Sequence, residues 1–553
     1  MSQTLSITSV KSEKSPFTNL SWHGNQNQLV DQPEQISDLI QRFDQPVWAV
    51  CNPTQFFLTS HAGFSNSSGS DQELKRQAYV PPMPLTALGD SGFMQTYVTR
   101  YAYYAGAMAN GISSVEMVLA LGKAGMMGSF GSAGLSPARI EAALQTIQQA
   151  LPEGPYAVNL IHSPNEPNLE RHLAELYLRM GVRVVEASAY MDLTYALAHF
   201  RVAGLSRAND GSMQIQNRII AKISRKEVAR KFMLPAPQDM LRQLIADGKI
   251  TAEQAELALK VPMADDVTVE ADSGGHTDNR PLVGLIPTML AVRDEVQTQM
   301  NYPQPVRIGA GGGISTPASA LAAFMMGAAY VVTGSVNQAC VEAGASLHTR
   351  TLLSQADMAD VIMAPAADMF EMGVRVQVLK RGSMFAMRAS RLYELYNRYN
   401  SIEEIPTADR EKIEKTIFRR SLEEIWEETQ AFFRERDQKN LERAYNDAHH
   451  KMALVFRWYL GLSSRWSVVG EAGREMDYQI WCGPAMGSFN QWVKGSVLEP
   501  VENRKVVDVA FQILSGAAYL ARIRSLANQG IILPADLQTY SIPRLAETAL
   551  IAE

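Results

Sequence analysis

The sequence predicts an α/β protein: a (β/α)8 TIM barrel with a helical insertion after strand five and a C-terminal mainly helical domain. Three observations carry this prediction. Short apolar runs alternate with amphipathic stretches between residues 101 and 345, the last two runs end in glycine clusters, and beyond residue 350 the pattern turns charged and helical. Strands alternating with helices imply parallel pairing through right-handed crossovers, and eight such units match a TIM barrel in count and size. A doubly wound open sheet is the competing reading of the same alternation.

Residues 1–85 read as an N-terminal segment or small subdomain, polar apart from a strand-like run at 46–50, with a Ser/Asn-rich loop at 65–70 and a proline boundary at 81–84. Residues 86–350 read as the barrel. Its strands are expected at 105–109, 126–130, 156–161, 183–187, 218–223, 266–271, 305–310 and 329–333, with helices at 114–124, 138–150 and 316–326 among the connections. Residues 235–262 add helical sequence to the fifth unit, either as a lid over the mouth or as a surface decoration. Residues 351–553 read as the C-terminal domain; 505–527 form a helix with Val506, Ala510, Ile513, Ala517 and Leu520 on one stripe and Gly530 as its stop.

Composition excludes several classes. A chain of 553 residues is too long for one core, and 46% hydrophobic with 20% charged residues is ordinary for a folded protein. A net charge of −6 argues against a nucleic-acid binder. The three cysteines, Cys51, Cys340 and Cys482, form no CxxC pair, and no HExxH occurs, so neither a disulfide framework nor a metal site is expected. The first residues, with Lys11 and Lys14, lack an apolar signal core, and the apolar run 321–334 is too short to span a bilayer. A soluble, cytoplasmic protein without membrane association is expected.

Chemistry belongs on the loops after the strands. Gly311, Gly312 and Gly313 follow strand seven, and Gly334 and Ser335 follow strand eight. Glycine lets the backbone approach a phosphate, and helix N-termini complement its charge, so the pair suggests a phosphate site; tight turns without a ligand are the alternative. Strand six runs into Ser273-Gly274-Gly275-His276, which presents an imidazole at the mouth for proton transfer, or merely braces the loop. Lys222 ends strand five, where an ammonium suits stabilising developing negative charge, Schiff-base formation, or a structural role. Asn159 closes strand three and offers an amide to a ring edge.

These segments together resemble the nitronate monooxygenase and FMN-dependent enoyl reductase superfamily. The stretches that carry the resemblance are 103–112 (YYAGAMANGI), 221–225 (AKISR), 270–280, 308–314 and 481–487 (WCGPAMG). More closely, they resemble the PfaD-type trans-acting enoyl reductases of polyunsaturated fatty acid and polyketide synthases. The resemblance implies FMN, with its phosphate on Gly311, Gly312, Gly313, Gly334 and Ser335. It also implies an isoalloxazine ring along Ala107 and Met108, with Asn159 and Lys222 at the polar edge and His276 beside it as a catalytic group. The implied reaction moves hydride from NADPH through the flavin to a trans-2-enoyl thioester on an acyl carrier protein domain of a multidomain synthase, and the resemblance admits a homodimer.

Carrier proteins are acidic, so two basic clusters are docking candidates: Arg375, Lys380, Arg381, Arg388, Arg391 and Arg398, and Arg225, Lys226, Arg230 and Lys231. Solvated helix faces are the commoner meaning of such runs. A nitronate monooxygenase-like oxidase would share the barrel and histidine, and a non-catalytic scaffold subunit of a synthase complex is a rival from another class. An IMP-dehydrogenase-like enzyme would need a mouth-loop cysteine, and Cys340 falls instead within the helix after strand eight.

Overall fold

The computed structural model describes residues 20–542, apart from 69, 71 and 164–166; the stretch read as lacking a signal core lies outside the described residues. Eight parallel strands close into a barrel: β1 (Tyr103–Ala105), β2 (Met127–Phe130), β3 (Ala157–Ile161), β4 (Val184–Ser188), β5 (Arg218–Ile223), β6 (Asp266–Glu270), β7 (Arg307–Gly311) and β8 (Val331–Thr333). Each strand pairs with the next, and β8 pairs with β1 to close the ring, so no open edge is left. Strand alternation sorts the side chains: Val185, Ala187, Ile219, Ala221, Val267 and Val269 pack outward against the helices, while Val184, Ile220, Thr268 and Tyr330 point inward. The open-sheet alternative is thereby excluded.

Helix starts follow their capping residues. Ser114 accepts from Met117 N, Ser136 precedes Pro137–Ala150, and Thr316 precedes Pro317–Met325 in a capping box. The first strand is displaced from expectation, ending at Ala105 rather than 109. Beyond Gly106 the backbone donors turn to side chains, Ala107 N to Glu186 and Met108 N to Ser113 Oγ, so the stretch becomes a mouth loop. The N-terminal end of the barrel is plugged by helix Ser91–Tyr97. Phe93 stacks on Tyr330 at 4.1 Å, and the Tyr97 hydroxyl donates to Asp266, which Arg307 also grips at 2.7 Å.

The insertion forms helices Gln238–Ala246 and Ala252–Ala258. It follows helix Lys226–Met233, which has already carried the chain away from the mouth. Gln254 Nε2 donates to Ala203 O and Leu205 O, at the approach to β5. The insertion packs along the outside of helix Tyr195–Ala203, from Asp247, which accepts from Tyr195 Oη at 2.7 Å, to Gln254 at the helix's far end. None of its residues lines the cleft at the mouth, so the surface-decoration reading holds and the lid reading is corrected.

Two features of the flanking regions depart from the sequence reading. Ser65 and Asn66, expected within a loop at 65–70, belong instead to a strand Phe64–Asn66 that pairs with Leu20–Trp22 in a five-stranded antiparallel sheet. Beyond the barrel, Val361–Pro365 and Arg375–Leu379 form a hairpin, and its second strand pairs with Gly275–His276 from the loop after β6. Phe64–Asn66 and Gly275–His276 are short and find their partners only across long chain separations, so local pattern did not expose these pairings.

Helix Val506–Asn528 ties the two ends together. Gly516 lets it approach Pro317, whose ring atoms would lie 2.3 Å from any added Cβ. Further along, Tyr519, Ile523 and Leu526 share one core with Ile36, Ile40, Ala49, Leu58 and Val80 of the N-terminal sheet. Arg522 donates to Arg42 O and Gln45 O, and burial lowers its guanidinium to about 10. This helix is long and apolar enough to cross a bilayer by composition, but most of its apolar window is buried here. If the shared core holds the ends together, Leu526→Ala should cost about 2–5 kcal/mol, as for other large-to-small core changes. Denaturant unfolding measures it, and an unchanged midpoint would show that the N-terminal sheet is merely appended.

Candidate active site

A cleft with about 720 Å³ between its walls opens at the C-terminal mouth of the barrel, part of it facing solvent. Ala107, Met108, Lys222, Gly311, Gly312, Gly313, Gly334 and Ser335 all line it, so the structure brings together eight of the ten residues singled out from sequence. Glu270, Ser273, Gln338, Trp481, Gly483 and Ala485 line it too, and sequence reasoning had assigned none of these a role.

Period two in the strands sets the charge at the floor of this cleft. Lys222, Glu186 and Glu270 all fall on inward positions of neighbouring strands. Lys222 Nζ lies 3.1 Å from Glu270 Oε1 and 3.6 Å from Glu186 Oε1. Burial alone would lower the lysine's pKa, but the two carboxylates outweigh it and hold the ammonium above its ordinary value. A Schiff-base role needs the free amine, so that option is disfavoured. Glu186 is fully buried and also accepts from Tyr104 Oη and from Ala107 N at 3.0 Å, which joins the lysine to the mouth loop. A carboxylate inside an otherwise apolar strand was the available signal for Glu186.

His276 stands beside the cleft. Its Nε2 lies 3.3 Å from Asp368 Oδ2, in the segment after Val361–Pro365. Burial works to lower the imidazole's pKa, and the Asp368 carboxylate, aided by Glu270, outweighs it and raises the value. A protonated imidazolium with a fixed carboxylate partner can donate a proton or a hydrogen bond. No local signal in the sequence pointed to Asp368.

The glycine loops have room for a ligand. Gly312 has φ +80° and runs against Ala271, whose carbonyl would lie 2.7 Å from an added Cβ. At Gly313 and Gly334 an added Cβ would meet nothing within 4 Å. Two buried donors on the lining, Ser273 Oγ and Gln338 Nε2, have no protein partner. Unfilled space with backbone and side-chain donors around it fits a phosphate-bearing ligand.

Asn159 is buried and donates its amide nitrogen to Glu186 O (3.1 Å) and Ser188 Oγ (2.9 Å), which ties β3 to β4. The basic clusters are largely neutralised: Arg388 and Arg419 grip buried Asp477, Arg391 pairs with Asp409, Arg381 with Asp360, Arg225 with Asp278, Arg230 with Glu295 and Lys231 with Asp192. Arg375, Lys380 and Arg398 remain exposed. Cys340 is fully buried with its thiol pKa pushed up, which removes the thiolate that an IMP-dehydrogenase-like reaction needs.

Residues 93–402 match the family model of nitronate monooxygenases, and residues 399–478 match the inserted helical domain of [acyl-carrier-protein] S-malonyltransferase. The chain is 48% identical over 513 residues to one of the polyunsaturated fatty acid synthase subunits of Thraustochytrium sp., an alignment covering 92% of this chain and 34% of that protein. It is 46% identical over 439 residues to the polyketide biosynthesis protein PksE of Bacillus subtilis, covering 79% of this chain and 57% of PksE. The chain thus spans about a third to somewhat over half the length of these relatives. Among solved structures, the enoyl reductase domain of MlnA from the macrolactin cluster of Bacillus amyloliquefaciens superposes with a TM-score of 0.76 at 38% identity, covering 80% of this chain and 100% of that one.

The charge cluster makes its own prediction. Lys222→Met leaves Glu186 and Glu270 without their counter-charge, and removing one partner of a buried ion pair costs about 3–5 kcal/mol. Lys222→Met with Glu186→Gln should recover part of that loss, because one of the stranded charges is gone. Chemical denaturation of both variants tests this; a single-variant loss below about 1 kcal/mol would show that the cluster behaves as an exposed pair.

Proposed function

Because the chain belongs to the nitronate monooxygenase family, and within it to the PfaD-type enoyl reductases of polyunsaturated fatty acid and polyketide synthases, we propose that it reduces an enoyl thioester with NADPH through bound FMN. The observation that carries this reading is the meeting of two glycine loops and a buried ammonium on one cleft, with an acid-paired histidine beside it.

Gly311, Gly312, Gly313, Gly334 and Ser335 would hold the phosphate, with Ala107 and Met108 along the ring and Lys222 at its edge. FMN would supply hydride transfer from the nicotinamide to the β-carbon of the double bond. The chain's own part is acid–base. His276 would give the proton that the α-carbon gains, and solvent would restore it afterwards. Asp368 orients the ring and favours its protonated form. Lys222 places positive charge where the ring edge would gain negative charge, while Glu186 fixes both the lysine and the Ala107 backbone.

The substrate would arrive on an acyl carrier protein. The exposed Arg375, Lys380 and Arg398, and the helical unit similar to one inserted in an acyl-carrier-protein transferase, support a docking role for the C-terminal region. Arg388 is not part of it, since its guanidinium is committed to Asp477.

Two experiments test the proposal. Gly313→Val should abolish flavin content, because its side chain enters the open space of the cleft. Gly248→Val, at φ +65° in the insertion with equally open surroundings, carries comparable backbone strain away from the cleft and should keep its flavin. A colourless wild-type protein, or equal flavin loss in both variants, would refute the cofactor assignment.

The second concerns His276. His276→Ala should retain flavin yet slow NADPH-dependent reduction of a crotonyl thioester by about 10²–10⁴-fold, the usual contribution of a positioned acid. In the wild type, the protonated form is complete at low pH and activity falls as pH rises through a value above the ordinary histidine range. Removing the carboxylate with Asp368→Asn should move that fall to lower pH. An unmoved profile would show that His276 is not the titrating donor. The same sign holds for stability: the ion pair contributes below the unfolded histidine pKa, and its contribution is lost as pH rises through the raised value.

A further inference from the structure

We propose that Gln338, with the N-terminal end of helix Ala485–Val493, closes the anion pocket and hydrogen-bonds the phosphate monoester of the flavin. This rests on the reading above that the cleft takes FMN, and it adds a contact drawn from outside the two glycine loops.

Gln338 is 2% exposed, lines the cleft four residues past Gly334, and its Nε2 has no partner. A buried donor left unpaired costs about 1–3 kcal/mol. Acceptors are available nearby, since the adjacent Asn337 uses its Nδ2 on Thr333 O (3.1 Å) and Thr333 Oγ1 (2.9 Å). Gln338 is therefore the one of the pair whose donor is left for a ligand.

The opposite wall presents the same polarity. Helix Ala485–Val493 has nine residues, begins at the cleft with Ala485, and has no side-chain cap at Pro484. Its N-terminal end carries partial positive charge suited to an anion. Two close approaches hold it there. Gly483 N donates to Ser335 Oγ at 3.0 Å, and a Cβ at Gly483 would come within 2.9 Å of Gly274 N. The carboxylates that line the cleft are occupied elsewhere: Glu270 by Lys222, and Asp272 by Asn279 and Gln377. Gln338 Nε2 and Ser273 Oγ are the donors on this lining without a protein partner, and a phosphate monoester is an acceptor that matches them.

FMN and the 2′-phosphate of NADPH share that chemistry, so the test separates them. Full-length protein stripped of flavin is titrated with FMN and with riboflavin, following flavin fluorescence. Gln338→Leu and the isosteric Gln338→Glu should weaken FMN about tenfold to a hundredfold, the range for a hydrogen bond to a charged group, and leave riboflavin unchanged. Because Gln338→Leu removes an orphaned donor, the flavin-free chain should melt no lower than wild type, while the FMN complex melts lower. Equal weakening of FMN and riboflavin, or a lower melting point without flavin, would overturn the proposal in favour of a structural role. If the variants instead change the NADPH-to-NADH preference and leave FMN affinity intact, the pocket serves the nicotinamide phosphate and the proposal is wrong. A wild-type protein that binds neither flavin refutes the FMN reading itself, an outcome distinct from failure of the variants.

Discussion

A short antiparallel seam holds the mouth of the barrel together: Gly275–His276 pairs with Val376 and Gln377 of the C-terminal hairpin. The Gln377 side chain extends it, donating to Asp272 Oδ1 at 2.7 Å and Ser273 O at 2.8 Å. On the other edge, Leu379 N donates to Ile480 O, and Val378 bridges Trp481. These bonds bring the 481–485 segment over the glycine loops, where Gly274 and Gly483 let two backbones meet without side chains between them. Without the seam, the barrel would keep its strands but lose one wall of the cleft and the carboxylate partner of His276.

The electrostatics of the cleft follow from that assembly. Inside the barrel, one ammonium stands between two carboxylates, so the lysine stays charged while burial is offset by its partners. At the rim, Asp368 supplies the negative charge that favours the protonated form of the half-buried His276 imidazole. The first arrangement comes wholly from barrel strands and the second needs the C-terminal region. Positive charge at the floor and a proton source at the rim thus have separate structural origins.

The same division explains the flanking regions. Asp477, fully buried, gathers Arg388, Arg419 and Arg474 with the Tyr459 hydroxyl, so Arg388, which the sequence offers as part of a docking face, is instead a clamp within the C-terminal region. Helix Val506–Asn528 packs on the barrel helix Pro317–Met325 and on the N-terminal sheet, which makes the two chain ends one unit.

The sequence by itself determined the barrel, its strand positions to within a few residues, the paired glycine loops, Lys222 and the placement of His276 at the mouth. Each of these is local: alternation of apolar runs, glycine where the backbone must turn left-handed, a polar residue at a strand's end. Tertiary structure alone decided which groups those residues face. Asp368 reaches His276, Gly483 reaches Ser335 and Glu186 reaches Ala107 across separations that no periodicity encodes. It also decided that Asn159 ties β3 to β4, that the insertion packs along helix Tyr195–Ala203, and that Arg388 is committed to buried Asp477. A pattern in sequence reports what a segment needs to bury or expose; the partner that satisfies the need is chosen only when distant segments pack.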